Sequence, residues 1–219
     1  MSTPAMRRYQ KMEAVQAAEQ TDSGPLIGSA YEMQLAKLYD DKRRLKEIQS
    51  IERKIDVKRE VLPDYDEWVA GALEGGRGGQ DEVLVTVMIW RIDVGDYDGA
   101  LRIAHYVITH DLVLPDQYER TVATFLVDEI TDAALDEQKN DKRFPLQLLL
   151  ELQSLTATCD MPDQVRSKLY KAIGTELHSQ GNLVDAKQHY ERALELNERA
   201  GVKRFIDTIN KELEQGSSS

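Results

Sequence analysis

From Ala30 to Val61 no glycine or proline interrupts the chain, and Tyr31, Leu35, Leu38, Leu45, Ile48, Ile51 and Ile55 recur at three- and four-residue steps. That rhythm lays one apolar stripe along a helix and gives a strand no consistent face. It predicts a single helix of roughly 45 Å at 1.5 Å per residue. Ser29, with Glu32 three residues on, supplies a capping box at its start, and Pro63 stops it. The stripe is narrow and its flanks are charged, as in a helix that pairs with a partner helix. Lys42 interrupts the seam and the step to Ile48 breaks a strict heptad, so a long regular coiled coil is not expected.

The remaining segments continue in the same period, which predicts an all-α fold: a long N-terminal basic helix followed by a helical body with tetratricopeptide-like hairpins. Residues 1–28 are polar and end in TDSGPLIG. They read as a flexible arm with a short helix over Pro4–Glu19. Residues 29–62 form the long helix, 63–159 a central helical domain, 160–215 a C-terminal tetratricopeptide-like hairpin, and 216–219 a disordered tail. The run Val83–Ile89 is rich in β-branched residues and could pass for a strand, but the Gly95 turn and the 3.6-residue rhythm around it favour a buried helix. In IGTELHSQGNLVDAKQHYERALEL (173–196), Gly174, Gly181, Ala186, Tyr190 and Ala193 sit close to the tetratricopeptide pattern. The earlier hairpin around Gly95 and Ala100 fits it poorly, and the two lie too far apart for a tandem array. Small residues at close helix crossings account for the pattern without a ligand.

Charge is distributed unevenly. The chain carries a net −11, yet residues 1–61 hold 12 Lys/Arg against 10 Asp/Glu. An acidic body repels phosphate, which excludes a protein that coats nucleic acid indiscriminately. The most basic window is 37–59, and a polyanion would be met there. A single cysteine, Cys159, excludes an internal disulfide framework and fits a reducing compartment. No apolar stretch approaches the roughly 18 residues of a membrane span, so the expected partners include no membrane.

No catalytic constellation emerges. The loop GGRGG (75–79) is followed by Gln80-Asp81-Glu82 rather than by a Lys-Ser/Thr pair, so it reads as an inter-helix loop and not a phosphate cradle. Asp93, Asp96 and Asp98 are mis-spaced for a calcium loop. His105, His110, His178 and His189 lack the spacing of a zinc site. Asp128, Asp132 and Asp136 follow one another at four-residue steps and read as a solvated helix face. No catalytic residue, metal ligand or cofactor is expected.

An ordered block carries a family resemblance. Leu62-Pro63, Trp68, Gly71, Glu74, Gly76, Gly78, Gln80-Asp81, Thr86-Val87-Met88, Trp90-Arg91, Asp93, Gly95-Asp96 and Ala100-Leu101, continued in LTATCDMPDQVRSKLYK and ERAGVKR, resemble the terminase small subunit of peduovirus-type temperate tailed phages. YEMQLAKLYDDKRRLKEI looks like the N-terminal helix of the same family. The resemblance implies a homo-oligomer in the host cytoplasm that binds phage double-stranded DNA near its cohesive-end site. It would deliver that DNA to the large terminase subunit, which in related machines holds the ATPase and nuclease. The family is often called the terminase endonuclease subunit; with no nuclease constellation present, that name reads as the activity of the holoenzyme. The expected phosphate contacts are Arg43, Arg44, Lys46, Arg53, Lys54, Lys58 and Arg59 on the long helix, with Arg7, Arg8 and Lys11 on the arm. The alternatives are a helical-repeat adaptor that binds a partner peptide and a metal-dependent endonuclease using Asp128 and Asp132.

Overall fold

A computed structural model describes residues 3–19, 29–116 and 118–216, and its regular elements are all helices. They fall into two compact units, residues 1–122 and 123–219.

The first unit contains α1 (Pro4–Glu19), α2 (Ser29–Lys46), α3 (Ile51–Val61), a 3₁₀ turn (Leu62–Tyr65), α4 (Asp66–Gly75), α5 (Glu82–Asp93) and α6 (Tyr97–Thr109). Its centre is α5, where Val83, Leu84, Val85, Val87 and Met88 are fully buried. A helix apolar all round must be enclosed on every side, and this is the segment whose β-branched run resembled a strand. Its helical start is secured by Asp81, whose carboxylate accepts from the Leu84 amide at 2.9 Å and from Trp68 Nε1 at 2.8 Å. The Tyr31 hydroxyl accepts from the next free amide, Glu82, at 3.2 Å. Two of the orphan donors at the α5 N-terminus are thereby satisfied inside the fold. Gly95 turns α5 into α6 at φ +82°, with nothing near the position a Cβ would take, so the glycine is there for its backbone alone.

Burial pushes the Asp81 carboxyl up to about 6, against an ordinary value near 3.8. A raised folded-state value means that the folded chain holds the proton more tightly than the unfolded one. The resulting stability is complete below about pH 4 and is lost as the pH rises through about 6. Asp81→Asn keeps an acceptor for the Leu84 amide and does not titrate. The stability difference between wild type and this variant is therefore expected to move towards wild type by about 2–3 kcal/mol between pH 7 and pH 4. Urea melts followed by tryptophan fluorescence check this, since both tryptophans lie in this unit; a pH-independent difference would refute it.

Two sequence expectations need correction. The stretch expected as one helix from Ala30 to Val61 is broken between Lys46 and Ile51. Ser50 caps α3 by accepting from the Arg53 amide at 3.3 Å, a local hydrogen bond that competes with helix continuation. The apolar stripe changes accordingly. Tyr31, Leu38 and Leu45 anchor α2, Val57 and Val61 anchor α3, and Ile51 is 75% exposed. Second, α1 is not a free arm over the described residues. Ala14, Ala17 and Ala18 are buried, and the small residues Gly71 and Gly75 of α4 admit the backbone of α1 at close range. The capping role expected of Ser29 falls on a side chain outside the described residues, as do residues 20–28 and the tail at 217–219.

The second unit contains α7 (Val122–Lys139), α8 (Leu146–Leu155), α9 (Asp163–Ser179), α10 (Leu183–Leu196) and α11 (Lys203–Gly216). A three-residue turn, with Gly181 at φ +78°, joins α9 to α10. Their crossing uses the small residues singled out in the sequence: a Cβ on Gly174 would lie 2.9 Å from the Tyr190 ring, and Ala186 and Ala193 are fully buried. Tyr190 also stacks on Phe205 of α11 at 5.3 Å between ring centroids. One carboxylate is enclosed here. Glu176, 1% exposed, accepts from Gln138 Nε2 at 2.8 Å, from Arg143 Nε at 2.9 Å and from the Phe144 amide at 3.0 Å.

Candidate nucleic-acid interface

The break after Lys46 folds the basic segment back as a helical hairpin, α2 and α3, held against α5. Lys42 reaches Glu82 in the first turn of α5 at 2.7 Å, and Lys58 reaches Asp93 at its last residue at 2.5 Å. The second pair offsets an acid placed at the unfavourable negative end of a helix. Arg44 meets Glu60 at 3.2 Å across the hairpin. Behind it, the Tyr65 hydroxyl donates to Asp41 at 2.6 Å, and Lys37 pairs with the same carboxylate at 2.8 Å while lying 4.3 Å above the Tyr65 ring. Burial first, and the Asp41 carboxylate second, drive the Tyr65 hydroxyl well above the ordinary tyrosine value. It stays a donor.

The expected cations are thus divided into three sets. Arg43 is engaged with Asp40 and Arg59 with Asp56 at 3.1 Å, both one turn away on their own helices and exposed. Such pairs open easily, since each is worth under about 1 kcal/mol. Arg44 and Lys58 take part in the cross-helix ties just described. Lys46, Arg53 and Lys54 have no ion pair among the described residues, and neither do the neighbouring acids Glu47 and Glu52. Of the three on α1, Lys11 pairs with Glu74 at 2.5 Å, whereas Arg7 and Arg8 are exposed with no ion pair among the described residues.

Sequence reasoning missed one feature. Lys42, Lys46, Lys54 and Lys58 line a single cleft of about 290 Å³, walled by Leu45, Thr86, Ile89, Trp90, Pro115 and Tyr118. Lys42 belongs to the basic window 37–59 but is not among the expected phosphate contacts; in the sequence it stands as a break in the apolar seam. The four-residue steps from Lys42 to Lys46 and from Lys54 to Lys58 were the available signal, because each step puts two ammonium groups on one helix face.

The acidic row on α7 is not a bare solvated face. Lys168 of α9 sits between Asp128 at 3.0 Å and Asp132 at 2.7 Å. Burial lowers the Lys168 ammonium, but the two carboxylates outweigh it and hold the group above its ordinary value. The lysine is therefore firmly charged and occupies the space between the two acids. Among the described residues no group of three or more His, Cys, Asp or Glu side chains is arranged to hold a metal ion.

The sequence model of the phage small terminase subunit family matches residues 35–164, from within α2 to the start of α9. The chain belongs to that family. Its role lies in phage genome packaging. Among relatives of the small terminase subunit, the "Terminase, endonuclease subunit" of Escherichia phage P2 is 42% identical over 214 residues, covering 97% of this chain and 86% of the relative. The "Probable terminase, endonuclease subunit" of Haemophilus phage HP1 is 24% identical over 194 residues, covering 82% and 69% respectively. No solved structure gives a significant match. No described helix is long and apolar enough to cross a membrane.

Proposed function

We propose that this small terminase subunit recognises phage DNA near the cohesive-end site as a homo-oligomer, and passes it to the large terminase subunit. The observation that carries the reading is the α2–α3 hairpin, basic in excess and with Lys46, Arg53 and Lys54 making no ion pair among the described residues, in a chain whose net charge is −11. One protomer offers too few phosphate contacts for tight binding at physiological salt; several copies on one duplex multiply them. Contact with the large subunit is the task of the acidic C-terminal half in this scheme.

The test is an electrophoretic mobility shift of the full-length chain on cohesive-end and scrambled duplexes at two salt concentrations, with mass followed by light scattering. The expected result is an oligomer that prefers the cohesive-end duplex and loses affinity steeply with salt. Arg43→Glu, Arg44→Glu and Lys46→Glu together should weaken binding by at least about a hundredfold, since three phosphate contacts are lost and three repulsions introduced. Unchanged affinity would remove DNA contact from this hairpin. The names of the two relatives support a second reading, catalysis by this chain itself. Magnesium-dependent nicking of cohesive-end duplex by the isolated protein, abolished by Asp128→Asn with Asp132→Asn, would establish that reading instead.

A further inference from the structure

The cleft between α2, α3 and α5 contains an anomaly at its floor. Thr86 lines it and is 3% exposed, yet its hydroxyl has no hydrogen-bond partner. A threonine within a helix ordinarily returns its hydroxyl to the carbonyl four residues back, and a buried hydroxyl left unpaired costs about 1–3 kcal/mol. Lys42 and Lys58 on the rim are balanced by Glu82 and Asp93. Lys46 and Lys54 have no ion pair among the described residues. The cleft therefore holds two positive charges in excess and one unused donor below them, beside the apolar surfaces of Leu45 and Trp90.

We propose that this cleft is a seat for a single phosphate group, gripped by Lys46 and Lys54 and bottomed by the Thr86 hydroxyl, and that its occupant is a backbone phosphate of the bound duplex. The chemistry follows from the donor set. Ammonium groups are point-charge donors suited to a tetrahedral dianion or a phosphodiester, and a hydroxyl adds one directed hydrogen bond. The volume admits a phosphate and its immediate substituents but not a folded peptide. The inference rests on the DNA-binding reading for the source of the phosphate, but not for the existence of the seat. It also assigns unequal roles to the cations on the hairpin: Lys46 and Lys54 fix a register, whereas Arg43 and Arg59 contribute through long-range attraction.

Three full-length proteins decide the matter: wild type, Lys46→Met with Lys54→Met, and Thr86→Val. Lys203→Met with Lys211→Met, on α11 and not part of the cleft lining, controls for the loss of two charges. The probes are inorganic phosphate against chloride at matched ionic strength, read by thermal shift, and duplex affinity as a function of salt. Wild type should be stabilised by phosphate, and the double lysine variant should not. On duplex, the double lysine variant should lose roughly tenfold in affinity per lysine, and its log–log salt slope should fall by about two. Thr86→Val should melt no lower than wild type, because it removes an unpaired buried hydroxyl, yet bind phosphate several-fold more weakly. That combination is one that a merely structural threonine would not give. Wild-type DNA binding with an unchanged slope in the double lysine variant overturns the seat and leaves the DNA reading intact. Phosphate stabilisation without any duplex binding keeps the seat, overturns the DNA occupant and points to a free phosphate compound. Absence of both the phosphate stabilisation and the duplex binding in wild type overturns the proposal.

Discussion

Glu176→Ala should unfold the second unit more readily than any other single side-chain truncation there, with a loss of about 3 kcal/mol or more. The carboxylate is enclosed and receives three donors from one short stretch 32 to 38 residues upstream: Gln138 at the end of α7, and Arg143 and the Phe144 amide in the α7–α8 loop. Removing it strands the Phe144 amide, which lies in a residue 3% exposed and has no route to water, at about 1–3 kcal/mol. It also leaves the Arg143 guanidinium without its charge partner. Arg143 is half-exposed, so solvent recovers much of that second cost. The cavity left by the side chain adds to the total. For a unit of about 100 residues each kcal/mol moves the melting temperature by roughly 4–8 °C, so a fall of about 15 °C is expected by calorimetry.

Glu176→Gln separates charge from shape. One amide oxygen can still accept from Phe144 and Gln138, but the amide nitrogen faces the Arg143 donor, so about half of the loss should remain. If Glu176→Ala melted within a few degrees of wild type, the enclosed carboxylate would not be the joint that ties α7, α8 and α9. Hydrogen exchange at the Phe144 amide gives an independent reading, because it donates directly to the carboxylate.

Nothing in the local pattern reveals Glu176. It lies two residues from Gly174 in the stretch that the small-residue spacing made most legible, but its partners are 32 to 38 residues upstream. A glycine or alanine at a helix crossing announces itself by periodicity; a buried carboxylate depends on which donors the fold brings to it. The same distinction runs through the first unit. The α5–α6 turn was readable because Gly95 is needed for its positive φ, and α5 was readable as a helix because the period of 3.6 continued past its β-branched run. The break between α2 and α3 was less visible. Its only cues were Ser50 two residues before Glu52 and the misfit of Ile48, and the run lacks the glycine or proline that usually marks a helix end. At the candidate interface the sequence named Lys46, Lys54 and Lys58 but not Lys42, Thr86 or Trp90, whose relation to them exists only once the hairpin lies on α5.

Gly71→Ala should detach α1 from α4. The added Cβ would fall 2.4 Å from the Ala14 Cβ and 2.6 Å from the Lys11 carbonyl oxygen, and neither atom can swing aside as the end of a long side chain could. Two effects oppose each other. Within α4 the substitution improves helix propensity by about 1 kcal/mol, which alone would stabilise the unit. Against that, forcing a methyl into a filled crossing costs about 1–3 kcal/mol, and here the obstacle is partly backbone. The helix can relieve the clash only by moving away, which exposes Ala14, Ala17 and Ala18 and stretches the Lys11–Glu74 pair. Protection of the α1 amides from hydrogen exchange should therefore drop by roughly ten- to a hundredfold, and trypsin should cut faster after Arg8 and Lys11. The melting of α5 and α6 should change little, because the ties that start α5, from Asp81 to Trp68 and the Leu84 amide and from Tyr31 to the Glu82 amide, do not involve α1. Slower cleavage than wild type would mean that propensity wins and that the crossing yields more easily than its distances imply. Faster cleavage with unchanged duplex affinity would remove Arg7, Arg8 and Lys11 from the DNA-contacting set, since these cations would then act no differently docked or free.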